Sequence, residues 1–220
     1  MSVLEYLHMR SLPYLWRMLI PLLNMPDWWK HLLEVDQRLF LFLNNKITHP
    51  WLDAIYPWWR EANTWVPLYL FLIVFSIINF GKKAYPWILF SVVTLVLTDQ
   101  LSSHIIKPFF ERPRPCRDPF IMQHVRLLLN GCSGGFSFTS SHATNHFGFA
   151  TFIFITLGNI IGRWKWVFVF WAASIAYGQV YVGVHYPLDI FCGAITGIFI
   201  GFITANFFNK RLGKLEHDQQ

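Results

Sequence analysis

Residues 178–193 read GQVYVGVHYPLDIFCG, a polar turn set between two strongly apolar stretches. His185 and Asp189 stand four residues apart within it. Proline is tolerated in the first turn of a helix, where its fixed φ and missing N–H do no harm, so a helix beginning at Pro187 is expected. The spacing then lets the Asp189 carboxylate lie under the His185 imidazole. A carboxylate that holds one ring nitrogen leaves the other as a nucleophile or base. A histidine and an aspartate at a membrane edge would equally satisfy each other with no chemistry at all; the stretches upstream bear on that choice.

The flanking segments set the fold class. Of 220 residues, 54% are hydrophobic and 19% aromatic, and only 14% carry a charge. That balance is far from a soluble average and is that of an integral membrane protein. The 11 Trp and 22 Phe suit lipid-facing and headgroup positions. The net charge of +6 sits in short connectors between apolar runs, which points to membrane topology and anionic headgroups and away from nucleic acid. Oligomeric state is silent in the sequence.

Going outward from the turn, the expected architecture is an all-α membrane bundle of about five spanning helices, preceded by N-terminal interfacial helices. The candidate spans are Trp65–Phe80, Tyr85–Lys107, His142–Ile161, Trp164–Val184 and Pro187–Phe208. Gly193, Gly197 and Gly201 in the last form a small-residue stripe that allows close helix packing. Asp99 and His104 in the second are expected to hydrogen-bond between helices. From Met1 to about Leu33 the apolar runs are broken by Arg10, Pro13, Arg17, Pro21 and Pro26, so an interfacial segment is expected there and a removable signal peptide is not. A further headgroup-layer helix is expected from Asp36 to Ile47. This divides the chain into an amphipathic segment (1–64), a membrane core (65–208) and a polar cytoplasmic tail (209–220). Lys82-Lys83, Arg163 with Lys165, and Lys210-Arg211 fall on one side, which the positive-inside rule assigns to the cytoplasm. The connector from Pro108 to Ser141 and the turn at His185 then face outward. Cys116 and Cys132 share that connector, either bridged, if the compartment is oxidising, or as two free thiols.

Two polar islands upstream complete the chemistry. KPFFERPRPCRD places Lys107, Arg112, Arg114 and Arg117 close together, the side chains that bind phosphate oxygens, though a bare basic cluster would also serve as an anionic-lipid anchor. NGCSGGFSFTSSHATNHFGFA leads glycines into Ser140, Ser141 and His142 at a helix start, where free amides and the helix dipole favour an anion. A phosphate held by Lys107, Arg114, Ser140 and Ser141 is open to in-line attack by His185, with His142 protonating the departing oxygen. No clustered carboxylates call for a metal, and no cofactor is expected.

The order Lys107-x6-Arg114-Pro115, then Ser140-Ser141-His142, then His185-x3-Asp189 resembles the type 2 phosphatidic acid phosphatase superfamily, which includes vanadium haloperoxidases. The resemblance implies a helical membrane phosphatase with a phosphohistidine intermediate on His185, oriented by Asp189, with His142 as acid and Lys107, Arg114 and Ser140 on the phosphate. It also implies a phosphorylated lipid substrate, a polyprenyl pyrophosphate or phospholipid phosphate in first place, and an active site on the outer face of a bacterial inner membrane. Two positions depart from the family pattern. Ser141 replaces the glycine of Pro-Ser-Gly-His, and Gly178-Gln179 replaces a Ser-Arg pair. Gln179 can donate one hydrogen bond to phosphate but brings no charge. Three outcomes stay open: Arg112, Arg117 or Arg126 supplies the charge, the enzyme is slow, or the substrate differs; a second reading is a catalytically weak relative that binds phosphorylated lipid without turnover.

Overall fold

A computed structural model describes residues 26–215, all-helical with no strand among them. The first 25 residues of the expected interfacial segment and the last five of the tail lie outside the described residues. The chain divides into two units, Met1–Leu39 and Phe40–Gln220. Helix α1 (Asp27–Asn45) begins in the first. There Trp28, Leu32, Val35 and Leu39 recur at helical spacing and stay exposed beside the ion pairs Lys30–Asp27 and Glu34–Arg38, a pattern suited to the headgroup layer. The end of α1 differs from the surface helix expected over Asp36–Ile47. In the second unit Phe40 and Asn44 are fully buried, because the Asn44 amide donates to the carbonyls of Arg126 at 3.0 Å and Tyr181 at 2.9 Å while its oxygen accepts from the Arg126 N–H at 2.8 Å. A buried amide so fully used fastens the outer connector to the end of a core helix.

The second unit continues with α2 (Pro50–Trp59), α3 (Val66–Phe80), α4 (Ala84–Gln100) and, through a π-helical turn at Leu101–Ile106, the short α5 (Lys107–Phe110). Gly81, with φ of +51°, ends α3. At 15 residues α3 is about 22 Å long, short of a hydrocarbon core of about 30 Å. After the connector come α6 (Ser141–Thr156), the single turn α7 (Gly158–Ile161), α8 (Lys165–Tyr181) and α9 (Pro187–Leu212). Helices thus occupy all five expected segments. By length and hydropathy two continuous stretches suffice to cross a bilayer, Ala62–Arg117 and Pro187–Leu212, and Ser141–Thr156 with Gly158–Tyr181 makes a bent third.

Helix α6 is the centre of the bundle, packed along α9, α8 and α4. The stripe on α9 makes this possible: a Cβ at Gly197 would meet the Thr144 carbonyl oxygen at 2.2 Å, and one at Gly201 the Gly148 oxygen at 2.3 Å. The core is aromatic, with Phe80, Trp87, Phe149, Phe152, Trp171 and Phe208 buried, while Phe71, Ile78, Phe170, Phe199 and Phe202 face outward, as lipid-facing residues do. Polar side chains bridge helices within it, Thr94 to Thr204 at 2.8 Å and Trp87 to Thr156 at 2.9 Å. Asp99 behaves as expected, accepting from Asn145 of α6 at 3.3 Å; His104 is exposed.

Candidate active site

Asp189 sits at the third position of α9, and its Oδ2 accepts from the Tyr186 N–H at 2.9 Å, one half of a capping box that pins the helix start. The same oxygen faces His185 Nδ1 at 3.4 Å and accepts a short hydrogen bond from Ser137. Oδ1 accepts from Arg112 Nη1 at 2.7 Å, and the Arg112 guanidinium lies over the Tyr186 ring, 3.9 Å from its centroid. Asp189 is fully buried, so its charge is stabilised by that arginine and three convergent donors. The carboxylate side of the His185 ring is therefore built from both ends of the long connector, through Arg112 and Ser137, and from the turn at Tyr186.

The opposite ring nitrogen meets Arg114. Its Nη1 lies 3.0 Å from His185 Nε2 and 3.2 Å from the Val184 carbonyl, and its Nε donates to the Gly134 carbonyl at 3.2 Å. Arginine can only donate, so Nε2 accepts and the ring proton resides on Nδ1, toward Ser137 and Asp189. Burial, the largest influence, pushes the His185 imidazole down to about 4; the Asp189 hydrogen bond opposes that shift and the Arg114 charge adds to it. His185 is thus neutral near pH 7 with a lone pair on Nε2, the form a nucleophile needs.

The remaining expected residues are placed unequally. Ser140 caps α6, its hydroxyl accepting from the Ala143 N–H at 3.4 Å and its own N–H donating to the Asp189 carbonyl at 3.1 Å, so the second and third motifs are joined through backbone. Ser141 is turned to the π-helical turn, 3.1 Å from Ser102 and 3.0 Å from Ser103. Lys107 is half-buried, and its charge interacts with those of Arg114, Asp99 and Asp189. His142 lies parallel to His146, with centroids 6.2 Å apart, and within electrostatic reach of His185, Lys107 and Arg60. Gln179 does not face a connector arginine: its Oε1 accepts from Arg60 Nε at 3.0 Å. Three participants were missed by sequence reasoning in these roles, namely Arg112 as the Asp189 partner, Ser137 and Arg60. No metal-ligand cluster occurs among the described residues. The Cys116–Cys132 pair is bridged, with Cα atoms 5.8 Å apart.

Beside His142 a cavity of about 470 Å³ runs between α3, α4, α6 and α8, lined by Tyr69, Leu95, Asp99, Asn145, His146 and Trp171. Asn145 Oδ1, His146 Nε2 and Trp171 Nε1 are buried without a hydrogen-bond partner. Because His146 Nδ1 donates to the His142 carbonyl at 2.7 Å, its Nε2 is an acceptor. Three residues that line the cavity thus hold a buried polar atom without a partner, two acceptors and one donor.

Residues 87–212, which contain all three motifs, match the model of the PAP2 superfamily. The chain belongs to that family. It is 34% identical over 186 residues to the lipid A 4'-phosphatase of Porphyromonas gingivalis, covering 82% of this chain and 74% of the relative. Against the lipid A 4'-phosphatase of Bacteroides thetaiotaomicron the identity is 32% over 188 residues, 84% of this chain and 82% of the relative. Its fold is similar to that of a transmembrane PAP2-type phosphatidylglycerolphosphate phosphatase from Bacillus subtilis, with a TM-score of 0.63 at 19% identity, covering 91% and 96% of the two chains. This PAP2 protein is a lipid phosphatase embedded in a membrane.

Proposed function

We propose that this PAP2 phosphatase removes a phosphate monoester from a lipid A-type glycolipid. The chemistry rests on one observation above all, the His185 ring held between Asp189 on Nδ1 and Arg114 on Nε2. Arg114 swings its fork from Nε2 to the phosphate oxygens as substrate enters. The phosphate monoester, arriving as its monoanion, passes its proton to His142; Nε2 then attacks phosphorus, a P–N bond forms, and the ester P–O bond breaks as His142 gives that proton to the sugar oxygen. Water next attacks the phosphohistidine, the P–N bond breaks, inorganic phosphate leaves and His142 takes up the water proton. Lys107, Arg114 and the amide at Ser141 stabilise the charge that builds on the equatorial oxygens, while the Ser140 N–H stays on the Asp189 carbonyl and holds the helix start in place.

The cavity supports the choice of lipid. Its orphaned acceptors on Asn145 and His146 call for ligand donors, and the Trp171 N–H calls for an acceptor. Beyond its phosphates a polyprenyl pyrophosphate is hydrocarbon, and a phosphatidate offers only ester carbonyls. An acylated amino sugar brings hydroxyl and amide N–H donors together with carbonyl acceptors, and two relatives above 30% identity carry the lipid A name. The Cys116–Cys132 bridge favours an oxidising compartment and so an outward-facing site.

Purified protein in detergent, given lipid A bisphosphate, phosphatidylglycerol phosphate and undecaprenyl pyrophosphate side by side, should act fastest on lipid A, with the loss of one phosphate by mass. The His185→Ala variant should release none. Faster release from undecaprenyl pyrophosphate would overturn the substrate, and retained turnover in His185→Ala would overturn the nucleophile.

A further inference from the structure

The PAP2 pattern asks which cation replaces the charge that Gln179 lacks, and the connector arginines are engaged elsewhere. Arg112 is bound to Asp189, Arg117 is exposed on the Cys132 carbonyl, and Arg126 is held by Asp53 at 2.7 Å and the Asn44 carbonyl at 3.0 Å. Arg60, directly after α2, is different. It is 6% exposed, and its Nε is seated on the Gln179 side-chain oxygen while Nη1 pairs with the half-exposed Glu61.

Gln179 itself is fully buried, with its Nε2 unpartnered, and its backbone carbonyl accepts from the Val184 and His185 N–H groups at 3.1 and 3.2 Å. The amide that holds Arg60 is thus anchored one hydrogen bond from the backbone of the nucleophile. The Arg60 charge also interacts with His142 and Arg114, which places it on the same side as both. Gly178 makes the approach possible. A Cβ there would meet the Tyr56 ring at 2.9 Å and Arg60 Cβ at 3.6 Å, so the loss of a side chain at 178 and the shortening of 179 open the space that α2 enters.

We propose that Arg60 and Gln179 act together as a further arm of the phosphate site, the arginine delivered from α2 and the glutamine both orienting it and donating Nε2 to the same anion. One buried donor in this corner of the bundle, Nε2 of Gln179, has no hydrogen-bond partner among the described residues, and leaving such a group unmet is costly. A phosphate on its way to His185 satisfies that donor and pairs with the buried Arg60 charge beside it. Gln179 is then no sign of a weak enzyme, because the missing charge comes from a residue 119 positions upstream.

The test rests on the phosphatase reading but not on the choice of lipid. Hydrolysis of lipid A bisphosphate and of phosphatidate, and inhibition by orthovanadate, are measured for R60Q, R60K, Q179R and R60Q/Q179R. R60Q should lose about a hundred- to a thousandfold in kcat/KM on both lipids and bind orthovanadate at least about tenfold more weakly. R60K should fall between R60Q and the native protein, and serves as the readout if R60Q does not fold. Q179R should be level or slower, and the double variant should regain at least about tenfold over R60Q. An R60Q protein whose melting temperature drops while its orthovanadate inhibition and kcat/KM stay within about threefold of native makes Arg60 merely structural and overturns the proposal. A preference for phosphatidate with R60Q still defective overturns the lipid assignment and leaves Arg60 in place.

Discussion

Asp189 meets Arg112, Ser137, the Tyr186 N–H and His185 with two oxygens. Asp189→Asn presents an amide where Arg112 and His185 need a carboxylate. We expect kcat to fall about 10³- to 10⁴-fold through the wrong tautomer, with a loss of about 3–5 kcal/mol of stability from breaking the ion pair between Arg112 and the buried carboxylate; a variant that melts and turns over normally would contradict both. The His185 imidazole has a second consequence. Its folded pKa of about 4 lies below the 6.5 of a free histidine, so its contribution to stability is complete above about pH 6.5, where both states are neutral. As pH falls from there toward 4 the unfolded chain takes the proton first, and about 3 kcal/mol is lost. The slope of melting temperature against pH should therefore flatten in His185→Asn between pH 6.5 and 4.5; identical slopes would refute it. The pairing of the ring with its carboxylate was legible from spacing, and Arg114 only through the resemblance. Arg112 and Arg117 were not distinguishable from Arg114 in sequence, since their directions depend on the left-handed turn at Glu111, with φ of +47°, and the tight turn at Pro115–Arg117.

At the level of elements, the α6–α9 contact carries the site. The small-residue stripe was readable as a packing device, but its reach was not, because the partner face on α6 lies some fifty residues earlier in the chain. A Cβ at Gly193 would meet the Ser140 carbonyl oxygen at 2.8 Å, and Ser140 is bonded through its N–H to Asp189. Gly197→Ala should cost about 1–3 kcal/mol or more by overpacking. It should also reduce kcat, since the two helices cannot part without drawing Ser140 from Asp189. A lowered melting temperature with unchanged kcat would show that the stripe serves packing alone. Arg60 was the least legible participant: nothing in WWREAN marks an active-site residue, and only the bare Gly178 on α8 brings it to Gln179.

For the molecule as a whole, apolar runs and charged connectors were enough to read a helical membrane bundle, because hydrocarbon leaves the backbone few other solutions. The length of α3 and the docked end of α1 were not readable, since both depend on partners such as Asn44 distant in sequence. The bridge between Cys116 and Cys132 ties down the chain on either side of it, with Arg114 two residues before Cys116 and Gly134, whose carbonyl accepts from Arg114, two residues after Cys132. By loop length its removal should cost about 3 kcal/mol, so Cys116→Ser/Cys132→Ser should melt earlier and raise KM; an unchanged KM would show that the loop holds Arg114 without the bridge. Arg114 also donates its N–H straight into the His185 lone pair. A sheathed imidazole is a poor target for stray alkylating or acylating reagents, so the resting enzyme is shielded from poisoning by the same guanidinium that an arriving anion must first draw away.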